Sequence, residues 1–393
     1  MSAPRGVESR REQNRASQTF GLILPVSSHR TDCRGTRDEA RSKTCGGQTI
    51  SRRARALRCV CCGPDSKNEH DKKPQGDVRQ APETAPYTGE SKIPMKIWLL
   101  TNIENRACAP LILAAARNLG HEIVQVHPMQ CHVSYGVSAN GSGPLSFAGN
   151  FFHPQLVLTR LGSTTPDTAL HLLKYLEQSS IPCINSSYAI SWCRDKTYSY
   201  HKLSKAGVPI PKTVLLGPKA CLDEAITIIP GPPWVVKLPR SSKGLGVFIA
   251  DSLRSLKSSI DVLHGQGQDL ILQEAITEAN GSDIRVLVVG GVAVAAMRRN
   301  ARGDDFRSNL FLGGAAAKVD MNDEVSQIAE QAARALQVDI AGVDLLESKE
   351  GPVVIEVNNS PGLVGIQEAT GLDLASDIIS FGVNEANSAS AAR

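Results

Sequence analysis

The sequence predicts a mixed α/β and α+β protein, in which a parallel α/β domain is followed by a largely antiparallel, two-part domain. From Met95 onward, strands and helices alternate in the β-α-β order that is typical of a parallel sheet covered by helices. After about residue 209, successive strands are joined by tight turns such as Gly290-Gly291, which indicates antiparallel pairing. Residues 1–94 show neither pattern, and we predict that they are disordered.

The N-terminal extension also differs from the rest of the chain in charge. It holds 18 Lys and Arg against 11 Asp and Glu, whereas the whole chain has a net charge of only +4, so the remainder is slightly acidic. We therefore expect no direct nucleic-acid binding from the body. Met95 opens an apolar strand, and our hypothesis is that the native chain begins there. A transit peptide is the weaker alternative, because transit peptides are poor in acidic residues.

Hydropathy and cysteine usage exclude other classes of protein. No apolar run approaches the roughly 18 residues that span a membrane, and no secretory signal is evident. Among the ten cysteines, Cys59 and Cys62 form the one pair with CxxC spacing, and a zinc site at Cys59, Cys61, Cys62 and His70 would lack the second ligand pair of the usual spacing. Reduced thiols in a cytoplasmic protein are the simpler interpretation.

The first domain is predicted to span residues 95–190. Its helix over 108–118 has apolar residues at helical spacing and ends at Gly120. A second helix should begin near Asp167, with Thr165 as its cap. Residues 134–149, rich in Gly and Ser, are predicted to form a mobile excursion. The strands of this domain are predicted at 96–101, 122–127 and 156–160.

The second domain is predicted to span residues 191–385 and to be followed by a flexible tail over 386–393. Its first helix should end at Gly207, because Pro209 and Pro211 follow. Helices are predicted at 195–205, 252–263 and 322–336, and strands at 234–238, 246–250, 270–274, 284–289, 292–298, 342–346 and 353–357.

The last two predicted strands place polar residues in an apolar setting. If they form a hairpin centred on Glu350, Asp344 lies opposite Glu356, and Asn358 lies on the same face. A buried carboxylate is costly unless it is paired or coordinates a metal. Carboxylate and amide oxygens suit Mg²⁺ or Mn²⁺, so we predict a metal site. The alternative is a polar pair at a solvated sheet edge.

Magnesium held by few protein ligands usually completes its shell with nucleotide phosphates, and the chain has candidate phosphate-binding elements. No GxxxxGK[ST] motif is present. Lys237 lies on a predicted strand, and the following small-residue loop contains Gly244 and Gly246, whose backbone N–H groups can close over phosphates. Arg307 and Asn309, in a Gly-flanked loop, can clamp a phosphate or a carboxylate. Taken singly, each element could instead be an ordinary turn or surface loop.

Taken in order, these segments resemble the ATP-grasp superfamily, and most closely the RimK-type α-L-glutamate ligases. The resemblance covers Met95 to about Val383. It is carried by RDK at 194–196, WVVKLPRSSKGLGV, LILQEAITEANGSDIRVLVVG, RRNARGDDFRSNLFLGGAA and DIAGVDLLESKEGPVVIEVNNSPGLVGIQEATGLDLA.

The resemblance implies a pre-ATP-grasp domain over 95–190 and a two-part ATP-grasp fold over 191–385 that holds ATP between antiparallel sheets. Ala275 departs from the family, which tends to carry an aromatic residue there. The resemblance implies that Lys196 and Lys237 contact phosphates, that Glu274 and Ala275 contact the adenine, and that Asp283 contacts the ribose. It implies that Arg307, Ser308 and Asn309 line the phosphoryl-transfer site, with Arg307 and Asn309 catalytic. It also implies that two Mg²⁺ or Mn²⁺ ions are held by Asp344, Glu356 and Asn358.

The implied activity is ATP-dependent addition of glutamate to the carboxyl terminus of a protein, which in the best-known relatives is a small-subunit ribosomal protein. The reaction would proceed through an acyl phosphate and release ADP. A cytoplasmic homo-oligomer with no membrane partner is expected. The alternatives are a ligase for a small acceptor, such as N-acetylaspartate, citrate or a pterin cofactor, and a non-catalytic ATP-binding module.

Overall fold

The computed structural model describes residues 93–102, 107–133, 145–147, 153–217, 220–229, 231–241, 244–301 and 315–391. These residues all belong to one compact unit, residues 72–393. The strands are β1 (Lys96–Thr101), β2 (Glu122–Val126), β3 (Cys131–Val133), β4 (Leu145–Phe147), β5 (Leu156–Arg160), β6 (Cys183–Ile184), β7 (Thr213–Leu216), β8 (Trp234–Lys237), β9 (Val247–Ala250), β10 (Leu270–Glu274), β11 (Ser282–Val289), β12 (Val292–Asn300), β13 (Ala315–Lys318), β14 (Ile340–Ser348) and β15 (Gly351–Asn358). The helices are α1 (Ala109–Asn118), α2 (Asp167–Gln178), α3 (Ser187–Cys193), α4 (Lys196–Lys205), α5 (Leu222–Ile228), α6 (Leu253–Gly265), α7 (Asp323–Leu336), α8 (Val364–Thr370) and α9 (Leu374–Ala391).

The first sheet is parallel, with strand order β2-β1-β5-β6. Its strands are apolar runs buried on both faces, as expected for a parallel sheet covered by helices. Ile97 and Leu99 point into the core formed with α1 and α9, whereas Trp98 and Leu100 point into the core formed with α2. The predicted parallel sheet covered by helices is therefore confirmed.

Helix ends differ from the predictions by about one residue, for a consistent reason. Asp195, Ser252 and Asn322 were predicted as first helical residues but are N-caps, whose side chains accept backbone N–H bonds inside the helix. The predicted cap at Thr165 is wrong, because the N-cap of α2 is Pro166 and no side chain caps that helix. Residues 1–92 and most of the predicted 134–149 excursion lie outside the described residues.

The remaining large sheets are antiparallel, as predicted. The smaller one has the order β7-β10-β8-β9, and its core is formed with α5 and α6. The larger one has the order β13-β12-β11-β14-β15, and a second core fills the space between it, α4 and α7. Mixed α/β and α+β organisation is therefore confirmed.

Helix α9 returns from the second half of the chain to cover the parallel sheet. At Gly382, a Cβ atom would lie only 3.0 Å from Leu158 Cδ2 and 3.2 Å from Leu156 Cδ2, so glycine allows the helix to approach β5 closely. Helix, rather than the predicted flexible tail, occupies residues 386–391, and Ala386 is buried. Within the described ranges, neither this helix nor any other is long and apolar enough to cross a membrane.

Two asparagines join the parallel sheet to the loop that follows β15. The Asn185 side chain, which is fully buried, accepts from Ile340 N at 2.9 Å and donates to Ile340 O and to Asn359 O, each at 2.8 Å. Asn359 in turn donates to Leu161 O at 2.7 Å. The buried amide of Asn359 therefore has a structural role. Together these bonds hold the end of the β14–β15 hairpin against the parallel sheet.

A chain that begins at Met95 should fold and retain ATP-dependent activity. Met95 is buried, its N–H donates to His121 Nδ1 at 3.3 Å, and its carbonyl accepts from Glu122 N at 3.0 Å. Met95 is thus anchored in the structured unit by both of its backbone polar groups. Thermal unfolding followed by circular dichroism should give nearly the same midpoint as for the full chain.

The matched control is a chain that begins at Trp98, which also lacks Met95 and Ile97. Losing two buried side chains should cost several kcal/mol, on the order of 2–5 kcal/mol for each large aliphatic residue. Equal unfolding midpoints for the two shortened chains would contradict the assignment of Met95 to the core.

Candidate functional site

The β14–β15 hairpin brings the predicted metal ligands together. Asp344 is directly opposite Glu356, as predicted, and Gly342 is opposite Asn358. The turn itself was predicted wrongly: Ser348 pairs with Gly351, so the turn is not centred on Glu350. A register shift between Asp344 and Leu345 adds one residue to β15 and restores the predicted pairing.

Asp344 is buried between two arginines. Its carboxylate accepts from Arg285 Nε and Nη2, each at 2.6 Å, and lies 3.0 Å from Arg299 Nη2. Burial alone would raise the pKa of Asp344, but the two guanidinium groups outweigh it and hold the pKa below its ordinary value. The inference that this carboxylate requires a metal to offset desolvation is therefore corrected, because arginines supply the compensating charge.

Glu356 is more open to solvent than Asp344. Its side chain is 33% exposed, and its Oε1 lies 3.3 Å from Lys196 Nζ. Asn358 Nδ2 lies 3.4 Å from Asp344 Oδ2 and 3.5 Å from Gly342 O. The predicted ligands are thus adjacent, and two of the three are accessible.

This donor set fits Mg²⁺ or Mn²⁺. Each carboxylate oxygen offers about two lone-pair sites, and the donors described around Asp344 crowd Oδ2 but place only Arg285 Nε on Oδ1, so Oδ1 retains coordinating capacity. Among the described residues, no group of three or more His, Cys, Asp and Glu is placed to hold a metal. A site here would therefore use Asp344, Glu356 and the amide oxygen of Asn358, all hard ligands.

The two lysines predicted to contact phosphates lie beside these ligands. Lys196 begins α4, and besides contacting Glu356 it donates to Ser241 O at 2.7 Å. Lys237 on β8 is buried and donates to Gln273 Oε1 at 2.6 Å. Burial lowers the pKa of Lys237 to about 8, although Glu356 and Asp344 act in the opposite direction.

The glycine loop has a clear structural requirement at one position. Gly246 has φ +70°, and a Cβ there would lie 2.8 Å from Leu238 Cδ1, while its carbonyl accepts from Leu238 N at 2.9 Å. Gly244 also has positive φ, +74°. Residues 242–243 lie outside the described residues. Ser241, at the start of the loop, is in contact with Lys196. The loop therefore begins beside the group formed by Lys196, Lys237, Asp344 and Glu356, which we call the lysine–carboxylate cluster.

The predicted nucleoside ligands are placed differently from one another. Glu274 ends β10 and accepts from Lys212 N at 3.3 Å, with Ala275 directly after it. Asp283 is buried, and both of its oxygens accept from Arg299. Its role toward ribose stays a prediction. Arg307, Ser308 and Asn309 lie outside the described residues.

Arg285 and Arg299 were missed by the sequence analysis, although one signal could have found them. Arg285 and Asp283 are two residues apart in the apolar strand β11, and Arg285 is directly opposite Asp344. Glu356 was selected because it is a charged side chain in an apolar strand. The same reasoning applies to the two missed arginines, Arg285 on β11 and Arg299 on β12. Together the residues form an alternating chain of charges, Asp283–Arg299–Asp344–Arg285.

A separate pocket of about 570 Å³ lies between α4 and β7. None of the predicted site residues lines it. It approaches the cluster through Tyr200 and Thr213, which belong to its wall. Tyr200 Oη lies 3.4 Å from Lys237 Nζ. The lysine–carboxylate cluster, and not this pocket, therefore contains the residues predicted from the sequence.

Comparison with known sequences gives a consistent result. The family model described as "RimK-like ATP-grasp domain" matches residues 193–381. A protein from Pseudoalteromonas atlantica named "Probable alpha-L-glutamate ligase 2" is 37% identical over 293 residues, which is 74% of this chain and 96% of that protein. A "Probable alpha-L-glutamate ligase" from Thioalkalivibrio sulfidiphilus is 35% identical over 288 residues, 73% of this chain and 95% of its own length.

Comparison with solved structures shows the same fold. A RimK domain protein from Sphaerobacter thermophilus has a TM-score of 0.55 at 22% identity, covering 73% of this chain and 99% of its own. The ATP-grasp ligase PsnB, solved with a phosphomimetic variant of its minimal precursor, Mg and ADP, has a TM-score of 0.57 at 17% identity, covering 74% and 98%. The sequence relatives are matched over nearly their whole length, and their identity exceeds 30%. The chain therefore belongs to the RimK-like ATP-grasp family.

Proposed function

We propose that this ATP-grasp ligase adds glutamate to the carboxyl terminus of a protein acceptor, through an acyl-phosphate intermediate and with release of ADP. The observation that carries the proposal is the convergence of Lys196, Lys237 and the Asp344–Glu356 pair in one cluster. That cluster combines cations for phosphate with carboxylates for divalent ions. The names of the sequence relatives support glutamate as the amino acid.

A carboxylate reacts poorly with amines, so it must be activated before an amide can form. Phosphorylation by ATP converts the acceptor carboxylate into an acyl phosphate, which is a good electrophile. The amine of glutamate then attacks, an amide bond forms, and phosphate leaves with the former C–O electron pair. When bound, divalent ions would neutralise charge on the transferring phosphoryl group.

The chain's own residues take distinct parts in this scheme. Lys196 and Lys237 bind phosphates, and Arg307 with Asn309 stabilises charge at the phosphoryl group. Ser308 would lie at the same loop. Asp344, Glu356 and Asn358 would hold the ions. Glu274, Ala275 and Asp283 are proposed to face the nucleoside.

The identity of the acceptor is the finer part of the proposal. PsnB, which shares the fold, has been solved with a precursor peptide and AMPPNP, so an ATP-grasp fold of this kind can hold a peptide beside a nucleotide. D-cycloserine synthetase DcsG shares the fold as well, with a TM-score of 0.56. A small acceptor such as N-acetylaspartate, citrate or a pterin cofactor is thus the competing proposal. We also propose a cytoplasmic homo-oligomer.

The product of the reaction tests the proposal. Incubated with ATP, Mg²⁺, glutamate and a peptide whose carboxyl terminus is rich in glutamate, the protein should form one ADP per glutamate added. Mass spectrometry should show the peptide gaining mass in steps of one glutamate residue. The same peptide with an amidated carboxyl terminus is the matched control and should gain none.

Two other outcomes are informative. AMP and pyrophosphate would indicate adenylation and would contradict the acyl-phosphate mechanism. ADP formation with a small acceptor and never with the peptide would overturn the protein acceptor while leaving the ligase chemistry in place.

A further inference from the structure

We propose that Gln273 is a positioning residue for the phosphate-binding lysine: anchored by Thr213, its carboxamide oxygen holds the Lys237 ammonium toward the nucleotide. This inference rests on the proposed role of Lys237 in binding phosphates. The three residues lie on adjacent strands of the smaller sheet, in the order β7, β10 and β8. Nothing in the sequence analysis selected Gln273 or Thr213.

The pairing of the strands places these side chains on one face. Gln273 is directly opposite Thr213 on β7, and Ile271, two residues before Gln273, is directly opposite Lys237 on β8. Residues two apart in a strand share a face, so all three side chains project to the same side. Gln273 is 2% exposed, so its polar groups need protein partners.

The hydrogen bonds fix the orientation of the Gln273 carboxamide. Thr213 Oγ1 donates to Pro211 O at 2.7 Å, so its own hydrogen is already used. The hydroxyl can therefore only accept from Gln273, whose Nε2 lies 2.8 Å away. That leaves Gln273 Oε1 turned toward Lys237 Nζ, at 2.6 Å. An ammonium can only donate, so each group in this series of hydrogen bonds has a single assignment as donor or acceptor.

Tyr200 supplies a second neutral acceptor for the same lysine. Its hydroxyl donates to Ile355 O at 2.7 Å, next to Glu356 in β15, so a lone pair remains for Lys237 Nζ at 3.4 Å. Burial raises the pKa of Tyr200 to about 12, which keeps the hydroxyl protonated in neutral solution. Gln273 and Tyr200 thus take two of the three ammonium hydrogens, and the third can donate to a phosphate.

The neutrality of Gln273 matters because Lys237 is buried. The charged and titratable groups that face Lys237 are Glu356 on β15, Asp344 on β14 and Tyr200 on α4, and Lys196 contacts Glu356 from the start of α4. A neutral acceptor stabilises the ammonium without cancelling its charge. A glutamate at position 273 would form an ion pair with Lys237 and would compete with the phosphates.

The test is the pH dependence of nucleotide affinity, measured by calorimetry with ADP at constant Mg²⁺ between pH 6 and pH 9. For the parent, affinity should fall as the pH rises through about 8, where Lys237 loses its proton. In Gln273→Met the midpoint should move down by about one pH unit, because hydrogen bonds to charged groups have that order of strength. In Gln273→Glu the midpoint should move up, with weaker binding at pH 6 to 7.

Gln331→Met is the matched control, since Gln331 lies on α7, outside the smaller sheet, and donates to the carbonyl of Ala206, the residue that follows α4. Its pH profile should equal that of the parent. If Gln273→Met fails to fold, Thr213→Val, which removes only the anchoring hydroxyl, should shift the midpoint in the same direction by less.

The outcomes separate this inference from the proposed function. A parent that does not bind ADP would overturn both. A parent that binds ADP, with variants whose affinity is unchanged or is reduced equally at every pH, would overturn the positioning role alone, because a merely structural substitution does not move the midpoint.

Discussion

Glu356→Gln should lower turnover strongly while leaving the folded protein intact. The substitution keeps the size of the side chain but removes one of the two carboxylates proposed to hold divalent ions. Lost charge stabilisation of several kcal/mol corresponds to a fall in kcat of about 10²-fold or more. Because Glu356 is partly exposed and, among the described residues, forms its ion pair with Lys196, stability should change by no more than about 1 kcal/mol. ADP release and thermal unfolding measure the two effects.

Glu347→Gln is the matched control. Glu347 lies on the same hairpin and pairs with Arg298 at 2.5 Å, but it stands near the turn and away from the cluster. Its turnover should equal that of the parent. Undiminished turnover in Glu356→Gln would contradict the assignment of the metal ligands. Removing one of two opposed carboxylates should give no gain in stability, because Lys196 and the arginines already balance their charge.

Asp344→Ala should be the most destabilising single change in the cluster. It would leave the Arg285 guanidinium, whose side chain is 14% exposed, without its bidentate partner, and would leave Arg299 with Asp283 as its one carboxylate partner among the described residues. Removing one member of a buried ion pair typically costs about 3–5 kcal/mol, because the remaining charge stays buried and uncompensated. Denaturant unfolding should show this as a lower midpoint.

A second substitution tests the cause. In Asp344→Ala combined with Arg285→Met, the unpaired charge is removed, so the double variant should regain a large part of the lost stability. Glu347→Ala, which breaks the exposed pair with Arg298, should cost at most about 1 kcal/mol. Equal costs for Asp344→Ala and Glu347→Ala would show that Asp344 is not held as the structure indicates.

Local patterns predicted the strands well because burial fixes their phase. The predicted bounds of β1, β5 and β10 match the structure residue for residue. The pairing of Asp344 with Glu356 was also predicted, although the turn was placed wrongly and the bulge compensated for the error. Two apolar strands that each bury one face leave little freedom in register, so the pairing survives a mistake in the loop.

Long-range contacts could not be predicted in the same way. Whether Asp344 is neutralised by a metal or by arginines depends on the strand that pairs with β14 on its other side, and that strand is β11, which the hairpin pattern does not reveal. Likewise, the anchoring of Gln273 depends on the neighbour of β10, which is β7. Sequence periodicity reports which residues are buried, but it does not report which strands are neighbours.

The packing of α9 on the parallel sheet has a consequence for folding during synthesis on the ribosome. Ile97, Leu99, Leu156 and Leu158 share a core with α1 and α9, and their strands are complete by residue 160. The covering helix begins only at Leu374. At a synthesis rate of about 5–20 residues per second, this apolar face waits on the order of 10–40 s for its cover. We therefore expect the nascent first domain to be a chaperone client, whose folding is completed only when the last helix has emerged.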